Sequence, residues 1–275
     1  MAYRPGLATW IQSHPSGVGC LELDAEQFYK GCEEQLQSLA EAYPLVIHGS
    51  RLSLGTPGPL DQEELGLFSA VVRVTNPLWI SEHLGFRRTA EVDLAHPNPI
   101  PLTSDTLALF VEHCREVVER CRKPLLIENI AYHLRIPGEM SEPEFLNRLC
   151  DEAGCGLLVD LTALAVNGRT RGVDPHGWLD AIEHRLITQV HIGAYGRDGE
   201  RWAESHADRV PEDIWELARH VIQSAPVRAV ILERDGSFPH ASELEDELRR
   251  IAALSASRSR SRPSPGPAAR QTRQR

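Results

Sequence analysis

The chain has 275 residues, 41% hydrophobic and 25% charged, the make-up of a folded globular protein with room for one large α/β domain. Residues 255–275, SASRSRSRPSPGPAARQTRQR, hold six arginines and no acid, so the first 254 residues carry a formal −16 against −10 for the whole chain. A body that acidic repels phosphate backbones, which argues against general nucleic-acid binding, and no apolar run nears the roughly 18 residues that cross a bilayer.

Short apolar runs alternate with amphipathic stretches along the chain. Residues 6–10 (GLATW) and 18–23 (VGCLEL) read as the first two strands, and 26–42 as a helix. Strands follow at 44–48 (PLVIH) and 78–83 (LWISEH), then a helix at 104–121 with Thr103 or Ser104 as its cap. PLLIEN (124–129) is the fifth strand. The helix at 141–154 opens on a Ser-x-x-Glu capping box and ends on glycine. GLLVDL (156–161), TQVHI (188–192) and RAVILE (228–233) complete eight strands, with helices at 211–224 and 241–254. Runs this continuously apolar suit parallel strands covered on both faces. Eight of them in βα alternation predict a (β/α)8 barrel over residues 1–254, followed by a disordered Ser/Pro/Arg-rich tail at 255–275. An open doubly wound sheet competes, but no glycine-rich phosphate loop follows an early strand.

The N-terminus, MAYRPGLATW, lacks the basic start and apolar stretch of a secretory signal, so a cytoplasmic location is expected. Six cysteines, at 20, 32, 114, 121, 150 and 155, show no C-x-x-C spacing, which fits a reducing compartment. Cys114 and Cys121 are seven apart on a helical pattern and are expected to pack as small hydrophobes. No histidine is spaced beside Cys20, Cys150 or Cys155, so a thiol nucleophile has little support. Nucleophile-elbow and kinase-type motifs are absent.

In a barrel, chemistry sits where the strands end. Six successive runs end at His48, Glu82–His83, Glu128–Asn129, Asp160, His191 and Glu233. Taken singly, a strand-end histidine is an ordinary hydrogen-bonded core residue, and ion pairs satisfy many buried acids. Six in register point instead to a ring of imidazoles and carboxylates around the barrel mouth. Packed together without cations, those carboxylates would repel one another, and imidazole plus carboxylate suits iron, zinc or manganese. Glu204-x-His206, in a loop after the seventh strand, can reach over the rim and add two ligands. Glu22 reads as an outer acceptor for a histidine N–H. His14, His96, His113, His133, His176, His184, His220 and His240 fall in loops or on helices and read as solvated.

The motifs HGSRLSLGT, SEHLGF, DLAHPNPIPLT, IEN, MSEPEFLNRLCDEAGCGLLVD, VHIGAY, ESHADRV and LERDGSFP stand in an order that resembles the multinuclear non-haem iron-dependent oxidative enzymes. The resemblance runs from about residue 6 to residue 250. It implies a xylose-isomerase-like TIM barrel holding two or three iron ions, with O2 as co-substrate, that modifies a ribosomally made precursor peptide, often at cysteine. It also implies a small partner protein that recognises the peptide leader. His48, His83, Glu128, Asp160, His191 and Glu233 fall on the family's iron ligands, with Glu128, Asp160 and His191 assigned catalytic roles, and His206 falls on the histidine of an Asp-x-His pair. Two departures stand out. Asp160-Leu161-Thr162-Ala163 replaces the family's Asp-x-Asn-Asn, and Glu204 replaces the aspartate. Both touch the third iron, so two firm irons are expected, with the third weak or absent.

A rival reading is a Zn, Mn or Mg barrel hydrolase or isomerase acting on a sugar or phosphodiester. It is weakened by the acidic body and by the lack of a lysine at any strand end, since the chain has only Lys30 and Lys123. A metal-storing or peptide-binding scaffold is the non-enzymatic alternative.

Overall fold

The computed structural model describes residues 1–261 except 90, 135 and 237, with side chains through residue 256. After residues 1–3 a helical turn, Pro5–Leu7, leads into α1 (Ala8–Gln12). There follow β1 (Leu21–Asp24), α2 (Glu33–Ala42), β2 (Leu45–His48), α3 (Gln62–Thr75) and β3 (Ile80–His83). A hairpin of β4 (Phe86–Arg88) and β5 (Asp93–Asn98) precedes α4 (Ser104–Cys121), β6 (Leu125–Glu128), α5 (Glu142–Ala153) and β7 (Gly156–Asp160). Next come α6 (Leu161–Arg171), α7 (Pro175–Ala181) and β8 (Ile187–Ile192), then a second hairpin, β9 (Tyr195–Asp198) and β10 (Arg201–Glu204). The chain ends with α8 (Glu212–Ser224), β11 (Ala229–Leu232) and α9 (Ala241–Ser261).

Seven parallel strands run in the order β1-β2-β3-β6-β7-β8-β11. Residues 1–3 lie between the two edges. Ala2 N–H donates to Leu232 O (3.0 Å), Tyr3 N–H to Glu22 O (2.7 Å) and Glu22 N–H to Met1 O (3.0 Å). With the helices packed outside, this is the expected TIM barrel. Its eighth position, however, is filled by residues 1–3 and not by residues 6–10. The expected strand GLATW is helical because Pro5 fixes the φ of a first helical turn, and Leu7 and Ile11, four apart, bury one helical face.

Other expectations shift too. The helix expected over 26–42 breaks at Gly31 (φ 69°), leaving a short 3-10 turn, Ala25–Phe28, before α2. The helix α9 continues to Ser261, past the expected domain bound at 254, and residues 262–275 of the expected tail lie outside the described residues.

Strand parity sorts the side chains into two layers. Leu45 and Ile47 face the helices, whereas Val46 points into the barrel with Trp79, Leu126, Leu158 and Ile231 to make an apolar plug. Two residues further along the same strands stand His48, Ser81, Glu128, Asp160 and Glu233. A strand that seals the barrel floor with an apolar side chain therefore delivers the residue two positions later to the mouth. Outside, α4 buries Leu107, Phe110, Cys114, Val117 and Cys121 along one stripe, and Phe110 meets Phe145 of α5 edge-on at 6.0 Å and 87°. Cys114 and Cys121 are thus packing residues, as their spacing suggested.

Candidate metal centre

His48, at the end of β2, and His83, at the end of β3, bring their Nε2 atoms to 3.3 Å from each other. Glu128 Oε2, at the end of β6, lies 3.3 Å from the first and 3.4 Å from the second. The three atoms form a nearly equilateral triangle. Metal bonds of about 2.1 Å require ligand atoms roughly 3.0–3.5 Å apart, so one first-row ion fits these spacings. Both rings are held from behind: His48 Nδ1 lies 2.8 Å from Ser81 Oγ, and His83 Nδ1 lies 3.1 Å from Glu82 Oε1. A carboxylate only accepts, so His83 carries a proton on Nδ1 and turns Nε2 to the cup. Parity explains why Glu82, expected to share the rim with His83, faces the other way. Its Oε1 accepts from His83 N–H (2.9 Å) and its Oε2 from Leu52 N–H (3.0 Å).

Glu128 serves a second cluster with its other oxygen. His191 Nδ1 lies 2.9 Å from Glu128 Oε1 and 3.5 Å from Glu233 Oε2, while His191 Nε2 faces Glu22 Oε1 at 2.8 Å. This ring is reversed relative to the first two: Nδ1 meets the cup and Nε2–H donates to the buried Glu22. Gln189 locks Glu22 from below, donating an amide N–H to it and accepting from Trp79 Nε1 at 2.7 Å. Glu128, Asp160 and His191 place one donor atom each within 4.8 Å of the others. Asn129 fixes the backbone of Asp160 with two reciprocal bonds of 2.9 Å, and Asp160 Oδ1 caps α6 by accepting from Thr162 N–H (2.7 Å) and Ala163 N–H (3.1 Å).

Glu204 and His206 reach the cup from the far side of the β9–β10 hairpin. The expected loop contains this hairpin, whose β10 arm ends at Glu204. His206 Nε2 lies 3.5 Å from Glu204 Oε2 and 3.8 Å from Glu233 Oε2. Its backbone is left-handed (φ 46°), and its ring packs onto Gly193, where a Cβ would come within 2.1 Å of Nδ1. Gly193 is therefore a glycine so that this histidine can enter. Thr162, fully buried, accepts from Gly193 N–H at 2.8 Å through its hydroxyl.

The eight expected residues thus converge. Seven line one cavity of about 390 Å³, and His191 lies buried beneath it. Sequence reasoning missed Arg4, whose guanidinium stands 3.1 Å from Asp24 and 3.8 Å from Glu233 and offsets part of the negative charge. His96 and His133 are exposed, as expected, but they also line the cavity mouth. His113, expected to be solvated, is instead buried, with ring nitrogens 2.8 Å from Leu54 O and 2.9 Å from Gly58 O.

Burial, together with Glu204 and Glu233, drives the Asp160 pKa well above its usual value, and burial raises Glu128. Burial opposes charge on His83, but Glu128 and Glu82 outweigh it and carry the pKa to about 9. His206 reaches about 9 in the same way, through Glu233 and Glu204. Burial combined with His83 depresses His48, and beneath them His191 outweighs burial to hold Glu22 at about 2. Glu128 Oε2 is buried and lacks a hydrogen-bond partner, as a donor atom built for a metal would be.

These features define a TIM-barrel protein with a polydentate imidazole–carboxylate cup at the C-terminal ends of its strands. The chain belongs to the RiPP precursor modification enzyme family MbnB/TglH/ChrH, which matches residues 1–256 and agrees with the family its motif order resembles. A UPF0276 protein of Haemophilus influenzae is 30% identical over 287 positions, covering 92% of this chain and 93% of that protein. A UPF0276 protein of Streptomyces avermitilis is 33% identical over 262 positions, covering 91% of this chain and 53% of the relative. Endonuclease IV from Thermus thermophilus superposes with a TM-score of 0.58 at 18% identity, over 94% of this chain and 97% of the other. D-psicose 3-epimerase does so at 0.55 and 11%, over 94% and 92%. At such identities the likeness is one of fold, the xylose-isomerase-like barrel. Among the described residues, no helix is long and apolar enough to cross a membrane.

Proposed function

We propose that the cup would hold two iron ions, with Glu128 offering one oxygen to each cluster, and with dioxygen as co-substrate would oxidise a ribosomally made precursor peptide at cysteine. The observation that carries this reading is the division of Glu128: one oxygen faces His48 and His83, the other faces His191. The first cluster is two histidines and one carboxylate, a donor set that with open positions suits non-haem Fe(II) oxygenases. Bound there, iron supplies redox equivalents and open positions for oxygen chemistry.

The chain's own contribution is positioning and proton control. Ser81 and Glu82 fix the rings of His48 and His83, and Glu22 holds the Nε2 proton of His191. Arg4 tempers the charge on Glu233, and the plug of Val46, Leu126, Leu158 and Ile231 keeps water from reaching the cup through the barrel floor. Family membership supports the peptide substrate, and a leader-recognition partner and a cytoplasmic setting belong to the same proposal. Two ions are favoured over three because the Thr162 hydroxyl, standing where the family's pattern has an amide, is engaged by Gly193 N–H. Glu204 and His206 remain as the outer ligands, or as a weak third position.

The hydrolase or isomerase reading draws only on the fold neighbours, and neither Lys30 nor Lys123 lines the cavity. Anaerobic purification with metal analysis, then oxygen uptake in the presence of cysteine-bearing peptides, tests the proposal. Iron, oxygen consumption and a mass change in the peptide are expected. Colourless zinc protein that epimerises sugars or cleaves phosphodiesters, without oxygen uptake, would overturn it.

A further inference from the structure

A second cavity, of about 310 Å³, opens beside the metal cup, and Ile130 lines both. Ile130 follows Glu128 by two residues, so the new wall begins immediately past the carboxylate that the two clusters share. The opposite wall is Leu102, to which the loop before α5 is stitched: Glu139 N–H and Met140 N–H both donate to Leu102 O, at 2.9 and 3.1 Å. Gly138 permits that approach, since a Cβ there would stand 2.8 Å from Leu102 N. The backbone is thus fixed on both sides, and Ile136 and Met140 line the space between.

The metal cup is lined chiefly by imidazoles and carboxylates, whereas these walls are largely aliphatic. Glu142 and Arg171 join the lining at one side; Glu142 sits beside Tyr132, and burial raises its pKa to about 7 against the hydrogen bond from that tyrosine. Holding metal does not call for such a chamber. A fixed apolar chamber opening onto a reactive cup has the construction of a substrate pocket.

We propose that this cavity is a specificity subsite for an apolar side chain of the substrate peptide, one or two residues from the position that is modified. The inference rests on the peptide-modifying reading above and names which peptides the cup accepts. An extended peptide advances roughly 3.3–3.6 Å per residue, so a residue held over Glu128 sets its neighbour beside Ile130. Full burial of a leucine or phenylalanine side chain there strengthens binding by about 10- to 100-fold over glycine.

Fluorescence anisotropy of labelled Gly-Ser-X-Cys-X-Gly-Ser peptides, with X as glycine, leucine, phenylalanine or lysine, reads the subsite without turnover on anaerobic, iron-loaded full-length protein. The leucine and phenylalanine peptides are expected to bind about 10- to 100-fold tighter than the glycine peptide. Ile136→Asp is expected to erase that preference while leaving iron content and glycine-peptide binding unchanged, and Met140→Asp serves if the first variant does not fold. Equal binding of all four peptides, no binding, or a preference that survives both substitutions overturns the subsite. A flat preference, with self-association that Ile136→Asp abolishes, assigns the cavity to a second copy and overturns it equally. An apolar preference in protein that takes up no oxygen upholds the subsite and counts against the oxidative chemistry alone.

Discussion

Glu128 Oε2 stands 3.4 Å from the Nε2 of His83, buried and without a hydrogen-bond partner, while the other oxygen of the same carboxylate meets His191 at 2.9 Å. A buried carboxylate oxygen beside two imidazoles costs free energy unless a cation, either a protonated imidazole or a metal ion, completes it. The folded barrel therefore holds the cup in a metal-ready shape, and the predictions below follow from that state.

The residues behind the rings should matter almost as much as the ligands. Ser81→Ala and Glu82→Leu leave His48 and His83 in place but unanchored at Nδ1. Metal affinity is expected to fall by about 10- to 100-fold with the barrel intact. Competition titration against a chelator, with circular dichroism as the fold control, measures this. Unchanged affinity in both variants would remove Ser81 and Glu82 from the account.

Gly193→Ala should expel one histidine and leave the other cluster alone, because the added methyl would lie 2.1 Å from His206 Nδ1. In metal-free protein, NMR titration of His206 is expected to move from about 9 towards the ordinary value of 6.5. Metal held by His48, His83 and Glu128 is expected to stay. A titration that does not move would mean that the ring never occupied the cup.

Thr162 separates a structural role from a ligating one. Thr162→Val leaves Gly193 N–H without its buried acceptor, at a cost of about 1–3 kcal/mol in chemical denaturation. Metal content is expected to stay the same. Loss of an ion would make the threonine a ligand.

Metal and protons compete in opposite directions with pH. His83 and His206 both have pKa values near 9, raised above the ordinary 6.5. The stability they give the metal-free protein is fully present below pH 6.5 and is lost as pH climbs through 9. Metal binding at His48, His83 and Glu128 requires the His83 Nε2 deprotonated, so its affinity strengthens over the same window. The rise in melting temperature produced by added metal is therefore expected to grow with pH across that window. A gain that shrinks with pH would contradict the assignment of these histidines.

Much of this was legible in the sequence because parallel strands are apolar through their length, so a histidine or acid at the end of one stands out. His48, Glu128, Asp160 and His191 could be picked out on that signal alone. What failed had physical causes. Residues 6–10 are as apolar as a strand, yet Pro5 and the Leu7–Ile11 spacing make them helical, and the short segment that fills the eighth place, residues 1–3, is too brief to carry a pattern. Glu82 and His83 are adjacent, and only parity tells which one faces inward. Arg4 acts from a segment with no periodicity, and Thr162 is used through its hydroxyl in a bond that spacing does not reveal.

The most direct test of the central claim is Mössbauer spectroscopy with metal quantification on anaerobically reconstituted protein, wild type beside Glu128→Ala. Two irons per chain that are magnetically coupled in the wild type, with coupling and most of the metal lost in the variant, is the result predicted. A single isolated iron in the wild type, or a coupled pair that survives without Glu128, would contradict a centre in which both clusters share that carboxylate.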